Sequence, residues 1–292
     1  SADLFQTLGG SIKFAQVVGE SEFTADALVA LLTEQLVARP NPRVEFGISW
    51  HGDSRYPRWF MGVGLKVKRE VKVQAHVRYV VSRDPALSSV VVAKNHLLPP
   101  AGFEFIIVPH EGKLLISRTL GVQDFEAWGK RDFGRPGRDA RVGMLPPKLA
   151  RIMVNLAAIP RTGALLDPFC GSGTVLQEAV LLGYKSVTGA DNDVKGLART
   201  RQNFAWLKEN YPELAGVEPV LITSDIQHLS TQTKESKFSA IVTEPYLGPP
   251  LTGREVPAQL ASLQKQLTEF YRVTLKVMSS MLVPGGRIVM VW

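Results

Sequence analysis

Asp167-Pro168-Phe169-Cys170-Gly171-Ser172-Gly173-Thr174 follows a short apolar run, Ala164–Leu166, and opens into Val175-Leu176-Gln177-Glu178-Ala179-Val180-Leu181-Leu182, which is patterned as a helix. Strand, glycine turn and helix in that order are the setting in which a Gly-rich loop acquires meaning. Gly171 and Gly173 permit a tight turn and close backbone approach, so a ligand held by Phe169, Thr174 and the loop can lie across the helix N-terminus. Neither a phosphate-cradling G-x-x-x-x-G-K-S/T nor a full G-x-G-x-x-G is present. The carboxylate of Asp167 suits a ligand with an amine or hydroxyls rather than a bare phosphate. S-adenosylmethionine, with its ammonium, sulfonium and ribose, meets those demands.

Two further acids extend the pattern. Val187–Ala190 reads as a second strand ending at Asp191 and Asn192, 24 residues after Asp167. An acid about 20 residues past the glycine turn is where a ribose diol is held. Val220–Ser224 is a third strand, and Asp225 at its end can accept from an adenine amino group. Each acid alone reads equally as a helix cap or loop residue. Three of them at successive strand ends favour a cofactor site.

A fourth strand, Phe238–Thr243, runs into Glu244-Pro245-Tyr246-Leu247-Gly248-Pro249-Pro250. An acid-Pro-aromatic turn at a strand's carboxyl end can hold a planar amine beside a donor methyl. The carboxylate of Glu244 and a carbonyl freed at Pro245 accept from the amine, and Tyr246 stacks on the base. Transfer from a sulfonium carbon to such a nitrogen needs positioning more than proton abstraction. The plain alternative is a proline-rich loop that merely ends a strand.

Together with Gly143-Met144-Leu145-Pro146-Pro147-Lys148-Leu149-Ala150, the segments Asp167–Thr174 and Thr243–Tyr246 resemble the THUMP-associated tRNA guanine N2-methyltransferases, above all those acting on guanosine 10. Leu8–Lys13 and Gly121–Asp124 look familial too. The resemblance implies a class I (Rossmann-like) S-adenosylmethionine-dependent methyltransferase domain, of α/β class, preceded by a mixed α/β THUMP-like RNA-binding domain. It also implies that Met144 and Pro146 lie near the methionine end of the cofactor. The family usually shows Asp-Pro-Pro-Tyr at the strand-four turn. Aligned on Pro245-Tyr246, Thr243 replaces the acid; aligned on the strand, Glu244 does, which leaves the role of Tyr246 open. Glu244 is the favoured amine acceptor. The expected boundaries are a THUMP-like domain over 1–130, a basic linker over 131–145 and the methyltransferase domain over 146–292, truncated after its fifth strand.

The chain has 292 residues and a net charge of +7, unevenly placed. From Arg58 to Arg83 seven basic residues face one acid, and from Arg118 to Arg161 nine face four. Two basic segments on an otherwise mildly acidic chain suit a polyanion's backbone. Lys66, Lys68, Arg69 and Lys72 in the first, and Arg131, Arg135 and Arg138 in the second, are the candidate contacts to tRNA or another structured RNA. A solvated charged face is the ordinary alternative. The only cysteine, Cys170, lies in the glycine loop, which argues against a disulfide framework, a cysteine metal site or methylation of carbon through a thiolate. No metal-ligand spacing links the five histidines. With no apolar run near 20 residues and no signal peptide, the expected compartment is the cytoplasm.

In the amino-terminal half, Ser11–Val18, Arg43–Trp50, His76–Val81, Phe103–Val108 and Leu114–Ser117 read as strands, and Phe23–Val37 as a helix capped by Thr24. Met61–Val73 fits either a strand or one helix face; a THUMP-like pattern favours the helix. In the carboxyl half, helices are expected over Pro146–Ala157 and Ala258–Met281, with a fifth strand over Gly285–Trp292. The rival readings are a DNA amino-methyltransferase acting on adenine N6 or cytosine N4, and an RNA-binding protein of this fold without appreciable turnover.

Overall fold

Alternating apolar residues and helical stripes build the amino-terminal unit in the order α1 (Ala2–Thr7), β1 (Lys13–Glu22), α2 (Ala25–Val37), β2 (Arg43–Trp50), α3 (Phe60–Val71), β3 (His76–Val80), α4 (Ser89–Lys94), β4 (Gly102–His110) and β5 (Lys113–Val122). The computed structural model describes residues 2–38, 43–52, 56–72, 76–138, 143–233, 237–251 and 253–291. The chain divides into two compact units, Ser1–Gln6 with Ser11–Phe125, and Thr7–Gly10 with Glu126–Trp292.

In the first unit the sheet order is β1-β5-β4-β2-β3, with β2 parallel to β3 and β4 and the other pairs antiparallel. Thr24 caps α2 by accepting from the Ala27 amide at 3.3 Å. The ambiguous stretch is a helix: Phe60, Val63, Val67 and Val71 are buried along one face of α3. Leu65, which strand alternation would bury with Val63 and Val67, is 51% exposed. Val73, the last residue of that stretch, lies outside the described residues. Lys66, Arg69 and Lys72 are exposed on the opposite side and Lys68 is half-buried; Lys66 pairs with Asp26 at 3.2 Å. Within the sheet, buried Glu104 takes Lys13 on Oε1 and the Thr119 hydroxyl on Oε2, so this interior charge is paired and hydrogen-bonded.

The second unit runs α5 (Phe125–Phe133), α6 (Pro147–Ala157), β6 (Leu165–Asp167), α7 (Thr174–Leu181), β7 (Val187–Asp191), α8 (Val194–Asn210), β8 (Val220–Thr223), α9 (Ile226–Gln232), β9 (Phe238–Thr243), α10 (Pro257–Ser280) and β10 (Leu282–Met290). All its pairs are parallel, in the order β10-β9-β6-β7-β8. Parallel strands covered on both faces need apolar residues on both. Leu165 and Val242 accordingly pack with α6, α7 and α8, while their neighbours Leu166 and Ile241 pack with α9 and α10. Strand order reverses between β6 and β9, which opens a crevice at their carboxyl ends.

The expected basic linker is corrected by this unit. Arg131–Phe133 belong to α5, and Asn203 of α8 grips Gly137, accepting from its amide at 2.7 Å and donating to its carbonyl at 3.1 Å; residues 139–142 lie outside the described set. Arg131 and Arg135 are buried, so neither presents its charge to a phosphate. Arg131 Nε meets Glu178 Oε1 at 2.7 Å, and Arg151 Nη2 meets Glu178 Oε2 at the same distance. The guanidinium of Arg131 also lies 4.2 Å from the Trp128 ring centroid, and that of Arg151 at 4.9 Å. Burial pulls Arg151 down, whereas at Arg131 Glu178 and Tyr211 outweigh burial and hold it up. Of the three arginines assigned to RNA in this segment, only Arg138 is exposed.

Candidate active site

The glycine turn is held from behind. Gly171 and Gly173 have φ of 51° and 80°, a region that favours glycine. A Cβ on Gly171 would meet nothing within 4 Å, whereas one on Gly173 would lie 2.7 Å from Thr200 Cγ2. Gly173 is therefore held against α8 and is not among the cleft's lining residues. The Thr200 hydroxyl donates to the Gly171 carbonyl at 2.7 Å, and Asn203 Nδ2 donates to the Ser172 carbonyl at 2.9 Å.

In front of this loop, at the strand-order reversal, lies a cleft of about 1030 Å³. It gathers Met144, Asp167, Phe169, Gly171, Thr174, Asp191, Asn192, Asp225, Glu244, Pro245 and Tyr246 from the sequence-derived set. Pro146 is not among its lining residues; it is exposed and forms the N-cap of α6. Asp191 Oδ2 accepts from the Gly171 amide and Oδ1 from the Asp193 amide, both at 2.8 Å, so this acid shapes the loop directly. Asp225 caps α9, accepting from the Gln227 amide at 2.9 Å, and borders the cleft as well.

Asp167 is only 2% exposed. Its Oδ1 accepts from the Thr243 hydroxyl at 2.6 Å and from the Phe169 amide at 3.2 Å. Oδ2 has no partner among the described residues, although the side chain borders the cleft. Burial, reinforced by Asp191 and Glu244 and opposed by the two hydrogen bonds, raises the carboxyl from 3.8 to about 7. A group whose folded pKa is raised stabilises the fold fully below its unfolded pKa and loses that contribution as pH rises through the folded value. The ligand-free protein should lose stability between pH 3.8 and about 7 through this group, with a limiting slope of about 1.4 kcal/mol per pH unit. Asp167→Asn keeps the Oδ1 acceptor and should flatten that slope in urea melts run across the window. Parallel curves for the two proteins would show that Asp167 is ionised throughout.

The strand-four turn settles which residue meets the cleft. Thr243 is fully buried with its hydroxyl on Asp167, while half-buried Glu244 faces the cleft, and burial raises its carboxyl above the ordinary value. Tyr246 is 56% exposed, its ring edge-on to Phe270 at 6.3 Å, and its carbonyl accepts from the Tyr271 hydroxyl at 3.0 Å. Phe270 also meets Phe169 edge-on at 5.8 Å and so joins the glycine turn to the strand-four turn. Sequence reading missed Phe270, whose only signal is its place on the α10 stripe with Leu263, Leu267, Thr274 and Met278. Burial pushes the Cys170 thiol well up, so it is neutral.

Residues 135–292 match the family described as "RMKL-like, methyltransferase domain". The chain belongs to that family. The RMKL-like domain therefore contains the whole cleft. Two curated relatives, both tRNA (guanine(10)-N2)-dimethyltransferases, are similar to the chain. The one from Methanothermobacter thermautotrophicus is 34% identical over 61% of this chain and 47% of its own length. The one from Methanocaldococcus jannaschii is 35% identical over 49% of this chain and 39% of its own. The chain thus spans less than half the length of these relatives. Among solved structures, TrmN from Thermus thermophilus shares the fold with a TM-score of 0.57 at 18% identity, over 96% of this chain and 72% of that one. SMU.472, solved in complex with SAH, does so with a TM-score of 0.54 at 13% identity, over 94% and 74% respectively. Among the described residues no helix is long and apolar enough to cross a membrane, and no cluster of His, Cys, Asp and Glu is arranged to hold a metal.

Proposed function

We propose that the chain transfers a methyl group from S-adenosylmethionine to the exocyclic N2 amine of guanine in tRNA. One observation carries the reading: a buried acid at the end of β6 and a half-buried acid after β9 border one cleft at the sheet's reversal point. The relatives' named reaction supplies the nucleotide. S-adenosylmethionine brings an electrophilic methyl on a sulfonium. The cleft residues suit it, because Asp167 offers a desolvated oxygen to an ammonium or hydroxyl, Asp191 a carboxylate to a ribose diol, and Asp225 an acceptor to an adenine amine. Glu244 accepts from the guanine amine and aims its lone pair at the methyl, while Pro245 fixes the turn and Tyr246 offers a stacking face. Orientation supplies most of the rate.

Incubating tRNA with labelled S-adenosylmethionine, followed by mass spectrometry of its nucleosides, tests this reading. N2-methylated guanosine is expected. Methyl groups on DNA adenine or cytosine, and none on tRNA, would overturn it; binding of both ligands without transfer would favour a binding protein.

The amino-terminal unit is proposed to be the THUMP-like RNA-binding module, working in the cytoplasm where tRNA is found. The exposed basic face of α3 supports this. Removing Lys66, Lys68, Arg69 and Lys72 together should make the salt dependence of RNA affinity shallower by about 0.7–0.9 log units for each phosphate no longer neutralised. An unchanged slope in a filter-binding series would reduce these side chains to a solvated face.

A further inference from the structure

Arg135 lies beside the glycine loop with 3% of its surface exposed. Its Nη1 donates to Thr174 Oγ1 at 2.7 Å. The remaining fork, Nε with Nη2, is buried and has no hydrogen-bond partner among the described residues. A desolvated guanidinium is costly unless an anion offsets it. Burial pulls this one below its ordinary range; Asp132 and Glu178 oppose that, and Arg138 adds to it. Glu178 already holds Arg131 and Arg151. Among the described residues, then, no acid hydrogen-bonds this cation.

Thr174 is the first residue of α7 and borders the cleft. Because its oxygen accepts from a cation, its hydroxyl proton is left for another acceptor, and the cation strengthens it as a donor. The amides of the first helical turn, which lack intrahelical acceptors, add partial positive charge at the same place. A carboxylate at this end of the cleft would meet all three. A neutral or cationic group would not.

We infer that Arg135, acting through the Thr174 hydroxyl, recognises the carboxylate at the amino-acid end of the cofactor. The inference rests on S-adenosylmethionine being that cofactor. Arg135 does not itself border the cleft, so it is a positioning residue, and Thr174 delivers the hydrogen bond. This gives the guanidinium a role that burial denies it at a phosphate.

The test is calorimetric binding of S-adenosylmethionine and of its decarboxylated analogue, which differs only at the recognised group. The wild type should prefer the carboxylated ligand. Arg135→Met and Thr174→Val should each weaken that ligand roughly tenfold or more, while leaving the analogue within about twofold of wild type. The two substitutions together should cost little more than either alone, since they break one chain of hydrogen bonds. Arg135→Lys should keep part of the preference. If Arg135→Met does not fold, Thr174→Val, which keeps the shape, carries the comparison. Equal weakening of both ligands would overturn the inference and leave Arg135 a packing residue. A wild-type protein that binds neither ligand would instead overturn the cofactor reading, and the inference with it.

Discussion

Glu244→Gln should slow methyl transfer to tRNA on the order of a hundredfold, with cofactor and RNA affinity within about twofold of wild type. The substitution keeps size and one acceptor oxygen but removes the charge. An ionised carboxylate gains most when the guanine amine becomes cationic in the transition state, so the loss belongs in kcat. Burial raises the Glu244 carboxyl, so the acid limb of the wild-type rate profile should fall above the ordinary carboxylate value of 4.5 and vanish in the variant. Glu244→Asp should restore part of the rate if the turn can close the missing methylene. Single-turnover kinetics across pH decide the matter, and a Gln variant at the wild-type rate would remove Glu244 from the mechanism.

Glu178→Ala should cost about 3–5 kcal/mol of folding stability, the penalty for leaving a buried charge without its partner. Glu178 is 1% exposed and holds Arg131 of α5 and Arg151 of α6 from the middle of α7. Its removal would leave two desolvated like charges around the Trp128 ring. Urea denaturation followed by Trp fluorescence measures the loss. A change below about 1 kcal/mol would mean that water reaches both guanidinium groups.

The glycine loop and its acids were legible because a parallel sheet writes its ligand site locally. Each strand ends, turns and enters its helix within a few residues, so Asp167, Asp191, Asp225 and Glu244 each stand where a short motif points. Most strands followed from periodicity, and α3 was decided by the exposure of Leu65, which sequence leaves open. Long-range partners were not legible. Phe270 reaches Phe169 and Tyr246 only because α10 packs back beside α9 and β10, and Asn203 reaches Gly137 from 66 residues away. The largest misreading was electrostatic. Arg131 and Arg135 counted as basic surface, yet charge along a sequence carries no information about depth. The first is paired inside the fold and the second is buried beside Thr174. Gly173 packs on α8 and Pro146 caps α6, roles that a ligand-centred reading of the sequence does not anticipate.

The 2.6 Å bond from Thr243 to Asp167 restricts which side chains position 243 can hold. An acid could in principle stand one residue earlier on the strand, as in a Thr243→Asp variant. Position 243 is sealed, however, and a second carboxyl there would face one already raised to about 7. Two acids at hydrogen-bond distance cannot both ionise, so the pair would share one proton and carry a single charge in a site sealed from water. Substitutions at positions 167 and 243 should therefore be non-additive. An acid at Glu244 avoids that pairing, because it faces the cleft instead of Asp167's sealed partner position.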